Sequence, residues 1–113
     1  MSVAMERDLY EQFEPKEDSL YFRIGEQGVI CFHGNNCHIR KRISGEQRTD
    51  LMTDSAFVRV SSDCYVNVKR ISMIESDCLY FGEKSYGEKR MPISRRIRQE
   101  LLKRLEEQQR MIN

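Results

Sequence analysis

A chain of 113 residues accommodates one domain and leaves little room for a second core. No run approaches the ~18 consecutive apolar residues of a membrane helix, and the N-terminus lacks the apolar core of a signal peptide, so the expectation is a cytoplasmic protein with no membrane partner. The net charge of +1 argues by itself against a nucleic-acid binder, but residues 1–18 hold six acidic and two basic side chains, a net of −4, which leaves +5 on the rest. Such sign asymmetry can accompany a nucleic-acid partner.

Residues 1–14 place Val3, Met5, Leu9, Tyr10 and Phe13 at a loosely helical spacing, which predicts a weak helix stopped by Pro15, because the residue before a proline avoids the helical region. Residues 16–19 read as a polar connector. From Leu20 the period changes to two, so 20–24 and 29–33 predict strands around a turn at 25–28. Residues 34–36 read as a loop and 37–43 as a third strand with basic residues on both faces. Residues 44–47 read as a turn. A short helical turn is expected within 49–55, capped by Thr49 or Asp50, with Leu51 and Met52 pointing inward. Strands follow at 57–61 and, after a loop at 61–64, at 65–71. Residues 72–75 and 78–81 continue the strand pattern, 82–87 form a polar hairpin tip, and 89–93 a last edge strand. Ser94 is a helix cap, and Ile97, Leu101, Leu102 and Leu105 line one face of a basic amphipathic helix.

The chemistry of catalysis is absent from the pattern: there is no Gly-rich phosphate loop, no GxSxG, no HExxH and no recognisable carboxylate pair, so neither an enzyme nor a cofactor is expected. The sharpest metal candidate is the group Cys31, His33, Cys37 and His38. It lacks a CxxC spacing, and the adjacent Cys37 and His38 would point to opposite faces of a strand, so a metal-free reading is preferred. Cys31, Cys64 and Cys78 read as reduced, mostly buried small hydrophobes.

Basic clusters carry the functional reading. Arg40, Lys41 and Arg42 are consecutive on one strand, a pattern that also protects an exposed edge from aggregation. Arg95, Arg96 and Arg98 crowd the first turn of the last helix, where the helix dipole favours anions, so a phosphate would compensate them; ordinary solvated charge is the plainer reading.

Two motifs, together spanning 57–105, give the chain a family likeness. The first is Phe57-Val-Arg59-Val, then Ser61-Ser62-Asp63-Cys64, then Tyr65-Val66-Asn67 and Ile71. The second is Met91-Pro-Ile-Ser94-Arg95-Arg96, leading into the helix. In order and spacing these resemble the LytTR family of bacterial DNA-binding domains, with a looser fit from about Leu20. The resemblance implies a mostly β, elongated antiparallel α+β fold with a C-terminal amphipathic helix, binding duplex DNA through loops in successive major grooves.

By position, the resemblance makes Arg95, with His38, the candidates for base readout, and Arg40, Arg59, Lys69 and Arg96 the candidates for phosphate contact. Ser61, Ser62 and Asn67 fall in the middle contact region. Arginine can address guanine bidentately, whereas the short Ser61 and Ser62 stand where many members have His-Arg or His-Asn, which favours phosphate contact there. The region between Ile43 and Phe57 is expected to hold less helix than the family usually has.

The expected organisation is an acidic leader at 1–18, a LytTR-like domain at 19–108 and a tail at 109–113, hence a stand-alone transcriptional regulator without a receiver domain. A homodimer on repeated sites remains open. The alternative is a protein-interaction or anti-regulator module that keeps the fold but has lost base recognition, which the low net charge and the two serines favour. An RNA-binding β module would need paired aromatics on a sheet surface, which the strand pattern does not offer.

Overall fold

Strand alternation organises the molecule into a central sheet with a core on each face. The computed structural model describes residues 13–35, 37–81 and 89–112. Its elements are a one-turn helix α1 (Pro15–Asp18), strands β1 (Ser19–Ile24), β2 (Val29–Gly34) and β3 (His38–Arg42), helix α2 (Gly45–Thr53), strands β4 (Phe57–Arg59), β5 (Cys64–Asn67), β6 (Ile71–Ile74), β7 (Cys78–Phe81) and β8 (Lys89–Pro92), and helix α3 (Arg95–Ile112). Two antiparallel sheets result, ordered β3-β2-β1-β5-β4 and β6-β7-β8.

Successive side chains on a strand point to opposite faces, so Phe57 and Tyr65 fall on one side of the larger sheet and Val58, Cys64 and Val66 on the other. The first set joins Phe22, Ile30 and Phe32, with Leu51 of α2 packed against them. The second joins Leu79, Phe81 and Met91 of the smaller sheet and Ile97 and Leu101 of α3. Strand β5 is therefore buried on both faces, which is why its sequence is an unbroken run and not an alternating one. The extents of 43 × 34 × 29 Å make the molecule moderately elongated.

Several local expectations are corrected. Residues 16–18 are not a plain connector, because Pro15 opens α1, proline's missing N–H being tolerated at the first helical position; the helix expected over 1–14 lies, apart from Phe13 and Glu14, outside the described residues, as does the hairpin tip at 82–87. Residues 44–47 are not a turn. The Ser44 Oγ accepts from the Gln47 N–H at 3.1 Å while the Ser44 N–H donates to Gln47 Oε1 at 3.0 Å, a reciprocal capping box that starts α2 five residues earlier than Thr49. Helix α2 is accordingly fuller than expected. Leu51 packs inward, but Met52 is 38% exposed.

The strand expected over 65–71 is broken by a 3-10 turn at Val68–Arg70. The turn at 25–28 is present, with Gln27 and Gly28 in left-handed backbone (φ 56° and 76°). Ser94 caps α3 as expected, its Oγ accepting from the Ile97 N–H at 3.2 Å. Helix α3 continues to Ile112, across the expected boundary at 108, and Leu102 is 40% exposed while Ile97 and Leu101 are buried. Of the cysteines only Cys64 is buried, and burial pushes its thiol up to about 11; Cys31, Cys37 and Cys78 are half-buried, and all four are free thiols.

Candidate nucleic-acid interface

Loop 61–63 and the start of α3 meet across an open cleft of about 400 Å³ lined by Arg59, Ser61, Ser62, Arg96 and Glu100 over a floor of Val60 and Ile97. The two sides are some thirty-five positions apart in sequence. They converge because Val58 and Cys64 share one core with Ile97 and Leu101, which fixes α3 against the β4–β5 corner. Arg59 shapes its own side of the cleft: its Nε donates to the Ser61 carbonyl at 3.1 Å and its Nη2 to the Ser62 carbonyl at 3.4 Å. Ser61 Oγ lies 3.1 Å from Asp63 Oδ1. Two guanidinium groups and two hydroxyls around an apolar floor suit an anionic oxygen, and the Glu100 carboxylate sets a limit on how much negative charge the cleft takes.

Arg95 is exposed at the first position of α3, beside Arg96. Arg98, by contrast, is committed to the fold, its Nε donating to the Glu75 carbonyl at 3.2 Å; Arg104 does the same for Ser55 at 3.0 Å.

A second basic surface lies on the larger sheet. Arg23, Cys31 and Arg40 are cross-strand partners, as are Arg42 and Val29, so Arg23, Arg40 and Arg42 share one face of β1–β3 with His38, while Lys41 faces the other side. Beyond β1 this face is covered by the smaller sheet and α3; over β2 its residues Val29, Cys31 and His33 are half-buried, and over β3 His38, Arg40 and Arg42 are exposed. On this face the Arg23 guanidinium sits 5.7 Å from the centre of the Tyr21 ring and 3.8 Å from Asp63, the residue that follows the two serines of the cleft. Arg42, Arg40 and Arg23 thus share one face of the larger sheet, while Arg59, which pairs with Tyr65 and so starts from the opposite face, joins Arg96 at the cleft.

The remaining two expected contact residues lie elsewhere, at the far end of β5. Asn67 is fully buried, and its Nδ2 donates to the carbonyls of Lys16 and Ser19, both at 2.8 Å. A side chain in that position holds α1 to the sheet and does not face solvent. Lys69 is exposed, with its Nζ 2.6 Å from a Glu17 carboxylate oxygen.

Sequence reasoning did not single out Arg23, whose signal was its place two residues after Tyr21 on an alternating strand, nor the acidic partners Glu17 and Asp63. Among the described residues no three or more His, Cys, Asp or Glu side chains gather as a metal site would require, and no helix is long and apolar enough to cross a membrane.

Neither a family model nor a curated protein matches the chain. Among solved structures, a LytTr DNA-binding domain from Bacillus cereus is similar, with a TM-score of 0.54 at 17% identity over 81% of this chain and 84% of that one. The fold is LytTR-like. At that identity the likeness concerns the backbone arrangement, and the β-rich antiparallel fold with a C-terminal helix that the motifs at 57–105 imply is present as two antiparallel sheets with α3.

Proposed function

We propose that the chain is a sequence-specific duplex-DNA-binding transcriptional regulator of the LytTR type, working in the bacterial cytoplasm. The observation that carries this reading is the cleft that joins Arg59, Ser61, Ser62 and Arg96, with a second group of cations, Arg23, Arg40 and Arg42, on one face of the larger sheet. Arginines gathered on two separate surfaces match a polyanionic backbone better than a single small anion. In this reading Arg40, Lys69 and Arg96 meet phosphates, with Ser61 and Ser62 beside them. Arg59 acts at the same loop, and Arg95 and His38 read base edges. Asn67 serves from within, by fixing the end of β5. The body is assigned from residue 19 through the end of α3, with the acidic leader at 1–18; a homodimer would fit repeated sites.

A second reading, a protein-interaction module on the same fold, draws on the acidic groups set among the cations at Glu100, Asp63 and Glu17. Selection of bound sequences from a random duplex pool, followed by titration at physiological salt, separates the two. Enrichment of a defined motif supports the regulator. Equal affinity for the selected and scrambled duplexes supports the interaction module.

A further inference from the structure

On the face of the larger sheet that carries Arg23 and Arg40, Tyr21, His33 and His38 are in-register neighbours on β1, β2 and β3. Their rings form a column across the strands: Tyr21 and His33 are stacked with centroids 4.4 Å apart at 13°, and His33 and His38 at 4.3 Å and 17°. Phe81 of β7 closes the inner end, its centroid 5.6 Å from Tyr21. The spacing is close to the ~4.8 Å between neighbouring strands. The ring normals therefore run across the sheet, and the ring edges stand off its surface. The last torsion of a histidine is otherwise broad and roughly two-fold, so a stacked neighbour decides which way the imidazole of an exposed edge residue points.

We propose that His33 is a positioning residue for His38: it holds the His38 ring on edge, so that a ring nitrogen is presented to a DNA base. This rests on the DNA-binding reading above, and it extends that reading to a residue that touches no DNA. His33 suits the role because it is half-buried and stays neutral. Burial, then the neighbouring His38, Arg23 and Lys89, lower its pKa to about 4, so near neutral pH the His33 ring is uncharged. The groups around it are Tyr21 and Arg23 on β1, His38 and Arg40 on β3, and Lys89 on β8, whose Nζ donates to the Gly34 carbonyl at 2.8 Å. Two imidazoles stacked flat do not turn their nitrogens towards a common point, so the pair is arranged for stacking and not for chelation.

The test uses the full chain and the variants His33→Phe, which keeps a flat ring, and His33→Val, which keeps strand propensity without one. Two quantities are read: the upfield ring-current shift of the His38 ring protons in the free protein, and the preference for the selected duplex over its single-base variants. His33→Val should lose the ring-current shift and reduce, by about threefold or more, the preference at the base position that His38→Ala also relaxes. His33→Phe should retain both, and the salt slope should be the same in all three proteins. An unaltered His38 shift in His33→Val overturns the proposal. So does a lost shift with wild-type preference, provided that His38→Ala weakens that preference. If His38→Ala itself changes no preference, the assignment of His38 to DNA fails and this inference falls with it, whereas the regulator reading stands or falls on the pool selection.

Discussion

The Glu17 carboxylate lies 2.6 Å from Lys69 Nζ, and the Glu17 main-chain carbonyl accepts from the Arg70 guanidinium. The Lys69 hydrogen bond and charge hold the Glu17 carboxyl below the usual carboxylate range. A phosphate that is to meet Lys69 therefore competes with Glu17. Glu17→Gln is expected to raise DNA affinity, most clearly at low salt, and to steepen the log–log salt dependence by up to roughly 0.9, the value for one added phosphate contact. Fluorescence anisotropy over a salt series measures both; an unchanged slope would remove Lys69 from the interface.

Arg95 and Arg96 are adjacent on α3, so they project about 100° apart and cannot make the same contact. Arg96 lines the cleft, while Arg95 is exposed beside it. Arg95→Ala is expected to cost roughly 1–3 kcal/mol on the selected duplex and to relax preference at one position. Arg95→Lys should not restore that preference, because an ammonium lacks the planar fork. Arg96→Ala should weaken selected and scrambled duplexes by similar factors and lower the salt slope by about one. Uniform loss across all sequences in both alanine variants would withdraw the base-reading role from Arg95.

Asn67→Ala removes the donor shared by two carbonyls at a fully buried site. An unsatisfied buried polar group costs about 1–3 kcal/mol, so urea unfolding should show a loss of that order or somewhat more. The folded fraction should keep the wild-type salt slope. Full stability with altered base preference would instead make Asn67 a contact residue.

The depressed His33 pKa has a consequence for stability. The unfolded chain takes up a proton near the ordinary value of 6.5, whereas the folded chain resists until about 4. Stability from this group is therefore complete above about 6.5 and is lost as pH falls towards 4. Thermal unfolding followed at pH 7.5, 6 and 5 should show a declining Tm in the wild type and a smaller decline in His33→Phe. Parallel profiles for the two proteins would show that His33 is not the group responsible.

Where apolar spacing was regular, the chain was legible. Ser94 with Ile97 and Leu101 marked α3, and the alternation at 57–66 marked the central strands. Helix α2 was less so, because Leu51 and Met52 are its only large apolar residues and periodicity had little to act on; the informative signal was Ser44 followed by Gln47, a capping pair lodged in what resembled a turn. Asn67 was read by its motif neighbours as a contact residue, yet a polar side chain in a strand buried on both faces has to find partners inside, and it does so in α1. The cleft could not be read, because the approach of Ser61 and Ser62 to Arg96 depends on how α3 docks. The column ending at His38 likewise depends on the register of three strands, which local pattern does not specify.

Strand β3 ends the larger sheet with Arg40, Lys41 and Arg42 all exposed. Two copies meeting edge to edge in antiparallel fashion about Arg40 would set the two Arg40 side chains directly opposite each other, with Arg42 of each on the same face, so in free solution the strand repels its own image. Polyanion binding or concentrated salt cancels that repulsion. Colloidal behaviour should thus invert the usual order: the protein stays dispersed in dilute buffer and self-associates as ionic strength rises, with the β3 edge as the place where contact begins.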